Sequence, residues 1–188
     1  MTKPIVNPNP REISLSDDEL IISKTDPKGC ITYANRTFMR IAGYSEAQLM
    51  GQPHNLIRHP DMPRGAYRLM WKTLAQGKEF FAVVKNLTAE GHFYWVLANV
   101  TPDYSSEGTL KGYFSVRRPP SREAITTIES VYRQMRDIES KSSKVDAPDA
   151  SVAWLLAEIA RLGFDSYEAL ILHLNREVLQ SALIDVRS

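Results

Sequence analysis

Residues 25–35 read TDPKGCITYAN, and this stretch decides the fold class. Pro27 presets its own φ and Gly29 tolerates a positive φ, so the tetrapeptide DPKG predicts a tight turn. The flanking segments, residues 20–25 and 29–35, have the composition of short strands. The sequence therefore predicts an antiparallel β-hairpin at this point.

Apolar residues at helical spacing follow the hairpin. Residues 36–42 and 46–50 predict two short helices, which end at Gly43 and Gly51. Residues 62–76 predict a longer helix with an apolar and aromatic stripe along one face. The middle of the chain is therefore predicted to be helical.

Extended segments return after this helical region. Residues 80–87, 92–103 and 112–118 read as strands, with turn residues at 88–91 and 105–108 between them. The order is two strands, several helices and then three strands. This order predicts an α+β fold in which an antiparallel sheet carries its helices on one side.

The remaining third of the chain is predicted to be helical. Ser121 is placed to cap a helix that runs to about residue 139. A polar break follows, and then two amphipathic segments, one ending at Gly163 and one carrying an apolar stripe from Leu170 to Leu179. The two segments predict a helical hairpin, whose apolar stripes are also compatible with a homodimer.

Composition excludes several classes of protein. Lys and Arg number 23 against 22 Asp and Glu, and a net charge of +1 gives no general attraction to nucleic acid. Cys30 is the only cysteine, which excludes internal disulfides and paired-cysteine metal or redox motifs. No stretch approaches the ~18 apolar residues of a membrane span, and residues 1–10 lack the apolar core of a signal peptide. We expect a cytoplasmic protein that does not itself span a membrane.

The pattern of residues from the hairpin onward resembles the PAS domain family. The matching positions are residues 25–35, Phe38, 43–45, 49–51, 59–61, Gly77, 90–91, 94–96, Pro102 and 112–113. The resemblance implies a PAS fold with a five-stranded antiparallel sheet. It divides the chain into an N-terminal arm (residues 1–18), a PAS sensor domain (19–118), a connecting signalling helix (119–140) and the C-terminal helical hairpin (149–188).

Within that family, three segments are similar to the aerotaxis-receptor subgroup. They are GQPHNLIRHPDMP at 51–63, VKN at 84–86 and YWVLAN at 94–99. The resemblance implies a domain that binds FAD non-covalently and acts as a redox or oxygen-response sensor for aerotaxis. Its partner would be a chemotaxis transducer or the signalling domain of a membrane receptor.

The resemblance also indicates which residues bind the cofactor. The matching positions are Arg58, His59, Asp61, Trp71 and Asn86, to which we add Trp95 and Asn35. A guanidinium such as that of Arg58 offers a forked donor to phosphate, the amide of Asn86 suits a ring edge, and Trp71 can stack on a flat ligand. The structural alternative is that Arg58 and Asp61 pair with each other and brace their loop.

Two other occupants of a PAS cavity stay open at this stage. Some PAS domains bind haem through a histidine of this central region, here His59 or His54. The other alternative is an interaction module without a cofactor, whose cavity is filled by its own side chains. A third arrangement, iron held by these histidines and Asp61, is disfavoured because Pro60 suits a turn equally well.

The sequence also supports predictions about catalysis and about residues outside the cofactor site. The sequence contains no nucleophile and base pair, phosphate-binding glycine loop or general-acid dyad, so we expect a sensor and not an enzyme. Tyr67 and Met70 are predicted to be core packing, and Cys30 a small buried residue. His92 and His173 are expected to be solvated. We expect the sheet to pass a change near Asn86 and Trp95 to the N-terminal arm or to the helix that follows Pro120.

Overall fold

A computed structural model of the protein describes the backbone of residues 4–185 and the side chains of residues 4–180. The sheet contains five antiparallel strands in the order β2-β1-β5-β4-β3. The strands are β1 (Ile21–Thr25), β2 (Ile31–Ala34), β3 (Phe80–Leu87), β4 (Phe93–Tyr104) and β5 (Leu110–Arg118). The predicted α+β class and the five-stranded antiparallel sheet are confirmed.

The helices fall into two groups. Between β2 and β3 lie α1 (Arg36–Ala42), α2 (Glu46–Leu49), a single 3₁₀ turn (His54–Ile57) and α3 (Arg64–Leu74). After the sheet come α4 (Arg122–Lys141), α5 (Ala147–Arg161), α6 (Tyr167–Leu174) and α7 (Arg176–Asp185). In the first group, the 3₁₀ turn and α3 line the cavity described below. The second group packs against α3 and the edge strand β3.

The predicted hairpin turn is present between β1 and β2. The side chain of Asp26 accepts the backbone N–H groups of Lys28 and Cys30, both at 2.9 Å, and Gly29 adopts a φ of 82°. Strand β5 pairs with β1 and approaches the last residue of β1 at very short range. A Cβ added to Gly112 would lie 1.8 Å from the carbonyl oxygen of Thr25, so this position accepts no side chain.

Two hydrophobic clusters hold the elements together. The cluster under α1 and α2 contains Ile21, Ile31, Phe38, Ile41, Leu49, Leu56, Ile57, Tyr94 and Val96. The larger cluster joins α3 and β3 to the C-terminal helices through Ala66, Leu74, Phe80, Val83, Ile128, Tyr132, Met135, Leu155, Ile159, Tyr167 and Ile171. The buried parts of the C-terminal apolar stripes therefore pack on the chain's own domain.

The N-terminal arm lies beside the first residues of β4. Ile13 donates its N–H to the carbonyl of Phe93 at 2.7 Å, and Phe93 donates to the carbonyl of Arg11 at 3.1 Å. The ion pair between Glu12 and Arg122 connects the arm to the first turn of α4 at 2.9 Å. The arm therefore contacts both the sheet and the connecting helix.

The second half of the predicted helical hairpin is two helices, not one. The break falls at Asn175, whose buried side chain accepts the N–H of Ser121 at 3.0 Å and donates to the carbonyl of Ile171 at 2.8 Å. These bonds hold the start of α4 against the end of α6, and they stop α6 although the apolar stripe continues. No helix in residues 4–185 is both long and apolar enough to cross a bilayer.

Two predictions for single residues are wrong. His92 is buried, because the N-terminal arm covers it and Arg11 donates its N–H to the ring at 3.3 Å. Cys30 is only half-buried, because it lies at the hairpin turn and not inside a strand. His173 is exposed, as expected.

Candidate functional site

A cavity of about 240 Å³ lies between α3, the 3₁₀ turn and one face of the sheet. Alternate residues of a strand point to the same face, and the register pairs Ala98 with Arg117 and Val100 with Ser115. These four side chains therefore face the cavity together. Its apolar walls are Ile57, Met70, Leu74, Val84, Ala98 and Val100.

The cavity has an exposed mouth and a buried floor. The mouth is formed by Lys28, Asn55 and Trp71, which are all exposed. The indole of Trp71 is 43% exposed and stands edge-on to the ring of Tyr113, with 5.2 Å between ring centres. A flat group that leaves the cavity at this point would meet an aromatic surface and one lysine ammonium.

The floor is polar and carries one buried cation. Its side chains are Ser23, His54, Asn86, Ser115 and Arg117. The Arg117 guanidinium donates through Nη2 to Ser23 Oγ at 2.8 Å and contacts His54 Nε2 at 2.7 Å. A guanidinium has only donors, so His54 Nε2 must accept and the ring proton must lie on Nδ1.

The ionisation states on the floor follow from burial. Burial, with the nearby charge of Arg117, lowers the pKa of His54 to about 3, so this imidazole is neutral at physiological pH. Burial also lowers the pKa of Arg117 to about 10, which still leaves it positively charged at neutral pH. The floor therefore has a net positive charge.

Two polar groups on this floor have no hydrogen-bond partner among the described residues. They are Nη1 of Arg117 and Oγ of Ser115. Leaving a buried donor or acceptor unsatisfied costs about 1–3 kcal/mol, and both atoms belong to residues that line the cavity. The cavity thus combines apolar walls with unpaired donors at its closed end, which fits a flat heteroaromatic ligand that has acceptors along one edge.

Three of the predicted site residues line the cavity: Arg58, Trp71 and Asn86. Arg58 and Asn86 also pair as an isolated backbone bridge. The Arg58 guanidinium lies 3.9 Å from the centre of the Tyr67 ring and donates to the carbonyl of Met62 at 3.2 Å. Arg58 therefore braces its loop through Met62, and the alternative pairing with Asp61 is not present.

His59 and Asp61 lie outside the cavity, in a charged cluster that reaches α4. Asp61 accepts from Lys85 at 2.7 Å and from Arg136 at 2.8 Å, while His59 accepts the N–H of Asp61 at 3.0 Å. Burial by itself would raise the pKa of Asp61, but the hydrogen bond from Lys85 and the charges of Lys85, His59 and Arg136 outweigh it and lower this pKa. The cluster connects the loop before α3 to β3 and to the connecting helix.

Trp95 and Asn35 also lie away from the cavity. Trp95 is one residue out of phase with Val96 and Ala98, so it is buried on the other face of the sheet beside Lys85. Asn35 caps α1, accepting from Phe38 at 3.0 Å and donating to the carbonyl of Leu20 at 2.8 Å. We do not include either residue in the site proposed below.

Sequence reasoning missed residues that the fold brings to the cavity. Tyr67 and Met70 line it although they were predicted to be core packing, and Ser23, Ser115 and Arg117 were not predicted at all. One signal was available. In the last strand the alternation places Ser115 and Arg117 in phase with Tyr113, and polar residues at inward positions of a strand indicate a functional site.

A protein-family model described as "PAS fold" matches residues 21–120, which is more than half of the chain. The chain belongs to the PAS family. The family match covers the sheet and the cavity, and it ends where α4 begins.

Curated proteins similar to this PAS chain include a receptor and a regulatory protein. The aerotaxis receptor of Escherichia coli K12 is 43% identical over 121 residues, covering 64% of this chain and 24% of the receptor. The nitrogen fixation regulatory protein of Klebsiella pneumoniae is 38% identical over 97 residues, with 52% and 20% covered. The biofilm dispersion protein BdlA of Pseudomonas aeruginosa is 28% identical over 131 residues, with 69% and 29% covered. The chain spans less than a third of the length of each of these relatives.

Solved structures similar to this chain share its fold. A light-oxygen-voltage domain from a study of a flavin analogue superimposes with a TM-score of 0.52 at 21% identity, covering 61% of this chain and 87% of that one. The light-oxygen-voltage domain of the blue-light photoreceptor Aureochrome1 gives a TM-score of 0.50 at 22% identity, with 63% and 91% covered. At such identities the likeness supports the PAS fold alone.

Proposed function

We propose that this protein is a flavin-binding PAS sensor that binds FAD in the cavity and reports its redox state, or the oxygen that sets it, to a chemotaxis transducer in aerotaxis. The observation that carries the proposal is the cavity itself, in which apolar walls end at the unpaired donors of Arg117 and Ser115. The 43% identity to an aerotaxis receptor supports the same reading. We place this activity in the cytoplasm.

The cavity would enclose one part of an FAD molecule and leave the rest exposed. Pockets that enclose a drug-sized ligand measure about 300–1,000 Å³, whereas this cavity measures about 240 Å³. It is therefore suited to the flavin ring and not to the whole dinucleotide. The phosphates and adenosine would leave through the mouth, where Lys28 supplies a charge and Trp71 an aromatic face.

The protein's own contribution is to hold and tune the ring. A bound flavin supplies reversible electron transfer, and the protein determines its orientation and its electrostatic surroundings. Asn86 would hydrogen-bond the ring edge from β3. Val84 and Leu74 would exclude water from opposite sides of the cavity. This role is sensory, and we assign no turnover of substrate.

A signal would leave the cavity through two connections. Helix α3 supplies Tyr67, Met70 and Trp71 to the cavity and packs against α5 on its other side. The loop before α3 carries Asp61, which pairs with Arg136 of α4 at 2.8 Å. A change in the cavity that moves either element would alter the docking of the C-terminal helices. We place the contact with the transducer on these helices, and a homodimer through them stays a prediction.

Haem is disfavoured by the surroundings of the two candidate histidines. His54 lines the cavity, but its Nε2 accepts from Arg117 at 2.7 Å. His59 lies outside the cavity, next to the ring of Phe93. Neither imidazole presents an available nitrogen to the cavity. Among the side chains of residues 4–180, no group of three histidines, cysteines or carboxylates is placed to hold a metal ion.

The proposal is tested by the visible absorption spectrum of freshly purified full-length protein, followed by heat release and chromatography of the pigment. We expect oxidised-flavin bands and FAD in the supernatant. A Val84→Trp variant, which fills the cavity from β3, should purify folded and colourless. The corresponding control is Val116→Trp, which changes a half-buried residue of β5 on the face of the sheet opposite the cavity and should retain the pigment. A Soret band, or colourless wild-type protein after incubation with FAD, would overturn the proposal.

A further inference from the structure

Arg117 is a buried cation without an anionic partner in the described part of the chain. Arg117 is only 5% exposed, and the guanidinium contacts uncharged groups. These are the hydroxyl of Ser23, the neutral ring of His54 and the aromatic ring of Phe38, whose centre is 5.4 Å away. The tyrosines that influence its pKa, Tyr94 and Tyr67, are protonated phenols at neutral pH.

Buried charges in proteins are normally paired, because removing an ion from water is costly. Here Nη2 is used within the protein and Nη1 is not. The Oγ of Ser115 is also buried and unpaired, and it faces the same cavity from the same strand. The two unpaired groups are therefore placed to hydrogen-bond a ligand bound in the cavity.

We propose that Arg117 and Ser115 bind the pyrimidine edge of the flavin ring, and that Arg117 makes the cavity selective for the form of the ligand that carries a negative charge on this edge. This inference rests on the proposed function and names a residue that sets ligand specificity. A neutral ring edge would satisfy both donors, and an anionic edge would also neutralise the guanidinium.

The position of Arg117 favours the ring edge over a phosphate as its partner. Arg117 lies at the closed end of the cavity, whereas Lys28 and Trp71 mark the exposed mouth. A dinucleotide that enters ring-first places its ring at the closed end and its phosphates at the mouth. His54 is neutral, so Arg117 supplies the single positive charge of this floor.

Reduction changes the charge on that edge. Two electrons from a reductant such as dithionite, with one proton from water, convert the neutral oxidised ring to a singly charged anion. The negative charge then lies on the pyrimidine half of the ring. Because Arg117 stabilises this anion more than the neutral ring, the reduced flavin binds more tightly than the oxidised one. By linkage, the bound flavin has a higher midpoint potential than it would have without Arg117.

The test compares wild-type protein with Arg117→Met, Arg117→Lys and Ser115→Ala. Arg118→Met is the matched control, because Arg118 is adjacent on β5 and points to the other face of the sheet. Affinities for oxidised riboflavin, FMN and FAD are measured by fluorescence quenching, and midpoint potentials by dye-equilibrated reduction. The melting temperature of flavin-free protein shows whether each variant is folded.

We expect Arg117→Met to weaken the binding of all three oxidised flavins by a similar factor. It should weaken the binding of the reduced form at least tenfold more. A tenfold difference corresponds to a potential about 30 mV lower for a two-electron couple. Arg117→Lys should recover part of the shift, and Ser115→Ala should weaken binding without lowering the potential comparably. The flavin-free Arg117→Met protein should melt no lower than wild type, because an unpaired buried charge has been removed.

Three results would overturn the inference while leaving flavin binding intact. The first is weaker binding of FMN and FAD with unchanged riboflavin affinity, which would mean that Arg117 binds a phosphate. The second is an equal loss for oxidised and reduced flavin. The third is a large fall in the melting temperature of flavin-free Arg117→Met, which would make Arg117 a structural residue. If wild-type protein binds none of the three flavins, the proposed function itself fails, and the titration shows this before any variant is compared.

Discussion

The carboxylate of Glu139 in α4 accepts the backbone N–H of Gly65 in the first turn of α3, at 2.8 Å. The same carboxylate accepts the N–H of Arg64 at 3.0 Å and the hydroxyl of Ser151 in α5 at 2.8 Å. Pro63, at the N-cap position of α3, has no side chain that can perform this role. The helix that forms one wall of the cavity is therefore capped by the C-terminal helices.

Glu139→Ala removes this cap, and we expect it to lower the free energy of unfolding by about 0.5–2 kcal/mol, the usual value of an N-cap interaction. The loss should lie toward the upper end, because a carboxylate at a helix N-terminus is also favoured by the helix dipole. Urea denaturation followed by circular dichroism measures the difference. Glu107→Ala, at an exposed turn, is the control and should leave the midpoint unchanged.

If hydrogen exchange shows that α3 and α5 keep their protection in Glu139→Ala, the capping interpretation is wrong. Flavin affinity gives a second readout. Because α3 supplies Tyr67 and Trp71 to the cavity, loosening its first turn should weaken flavin binding as well as stability.

Gly65→Ala should separate α3 from α5 by steric contact. A Cβ at this position would lie 2.1 Å from Ser151 Oγ and 3.1 Å from the carbonyl oxygen of Pro148. Alanine favours a helix over glycine by about 1 kcal/mol, while overpacking costs about 1–3 kcal/mol. We therefore expect a net loss of up to about 2 kcal/mol.

The double variant Gly65→Ala with Ser151→Ala distinguishes the clash from a change in helix propensity. Removing the Ser151 hydroxyl removes the shortest contact, so stability should recover in part and the double-mutant cycle should show a favourable coupling energy. Additive effects of the two substitutions would mean that Gly65 and Ser151 do not compete for the same space.

Local patterns were sufficient to predict the sheet. Pro27 and Gly29 define the hairpin turn, and the strand segments around it follow from composition and turn residues alone. The helix that contains Tyr67 and Met70 was harder, because α5 packs against it while these two residues line the cavity. Helical periodicity identifies such a helix but does not tell which of its faces lines a cavity.

Long-range contacts explain the other features that the sequence did not predict. Arg117 becomes a floor residue only because β1 brings Ser23 beside it and the 3₁₀ turn brings His54. The break at Asn175 depends on the N–H of Ser121, which is 54 positions away in the sequence. In each case the deciding partner is distant in sequence, so no window of local residues contains the signal.

His54 should show no protonation in the physiological range. Burial and Arg117 lower its pKa to about 3, so its imidazole stays neutral from pH 8 down to well below pH 5. Two-dimensional NMR of the ring protons should show a pH-independent His54 signal with the proton on Nδ1. In urea the same residue should titrate near the reference value of about 6.5.

The effect on stability follows from the sign of that shift. Between about pH 6.5 and pH 3 the unfolded chain binds a proton at His54 and the folded chain does not, so this residue lowers stability as the pH falls through that interval. Substitution with Gln should therefore reduce the acid sensitivity of the protein in this window. A His54 signal that titrates between pH 6 and 7 in the folded protein would show that Arg117 and the imidazole are not in contact.

Asp61→Asn should weaken the connection between the cavity loop and α4. Asp61 pairs with Lys85 at 2.7 Å and with Arg136 at 2.8 Å, and its side chain is 39% exposed while that of Lys85 is 9% exposed. Breaking a fully buried pair costs about 3–5 kcal/mol and an exposed one less than about 1 kcal/mol. We expect a loss of about 1–3 kcal/mol at pH 7, because the buried Lys85 loses its nearer carboxylate and is left with the more distant Glu129, at 3.8 Å.

The pH dependence of this loss identifies the carboxylate as its cause. The folded-state pKa of Asp61 is lowered, chiefly by Lys85 against the opposing effect of burial, with contributions from His59 and Arg136. Its stabilising contribution is therefore complete above the unfolded pKa of about 3.9 and is lost as the pH falls through the lower folded value. The difference in unfolding free energy between wild type and Asp61→Asn should be constant from pH 8 to pH 5 and shrink below pH 4. A difference that stays the same at pH 3 would mean that the substitution acts through packing and not through the charge on Asp61.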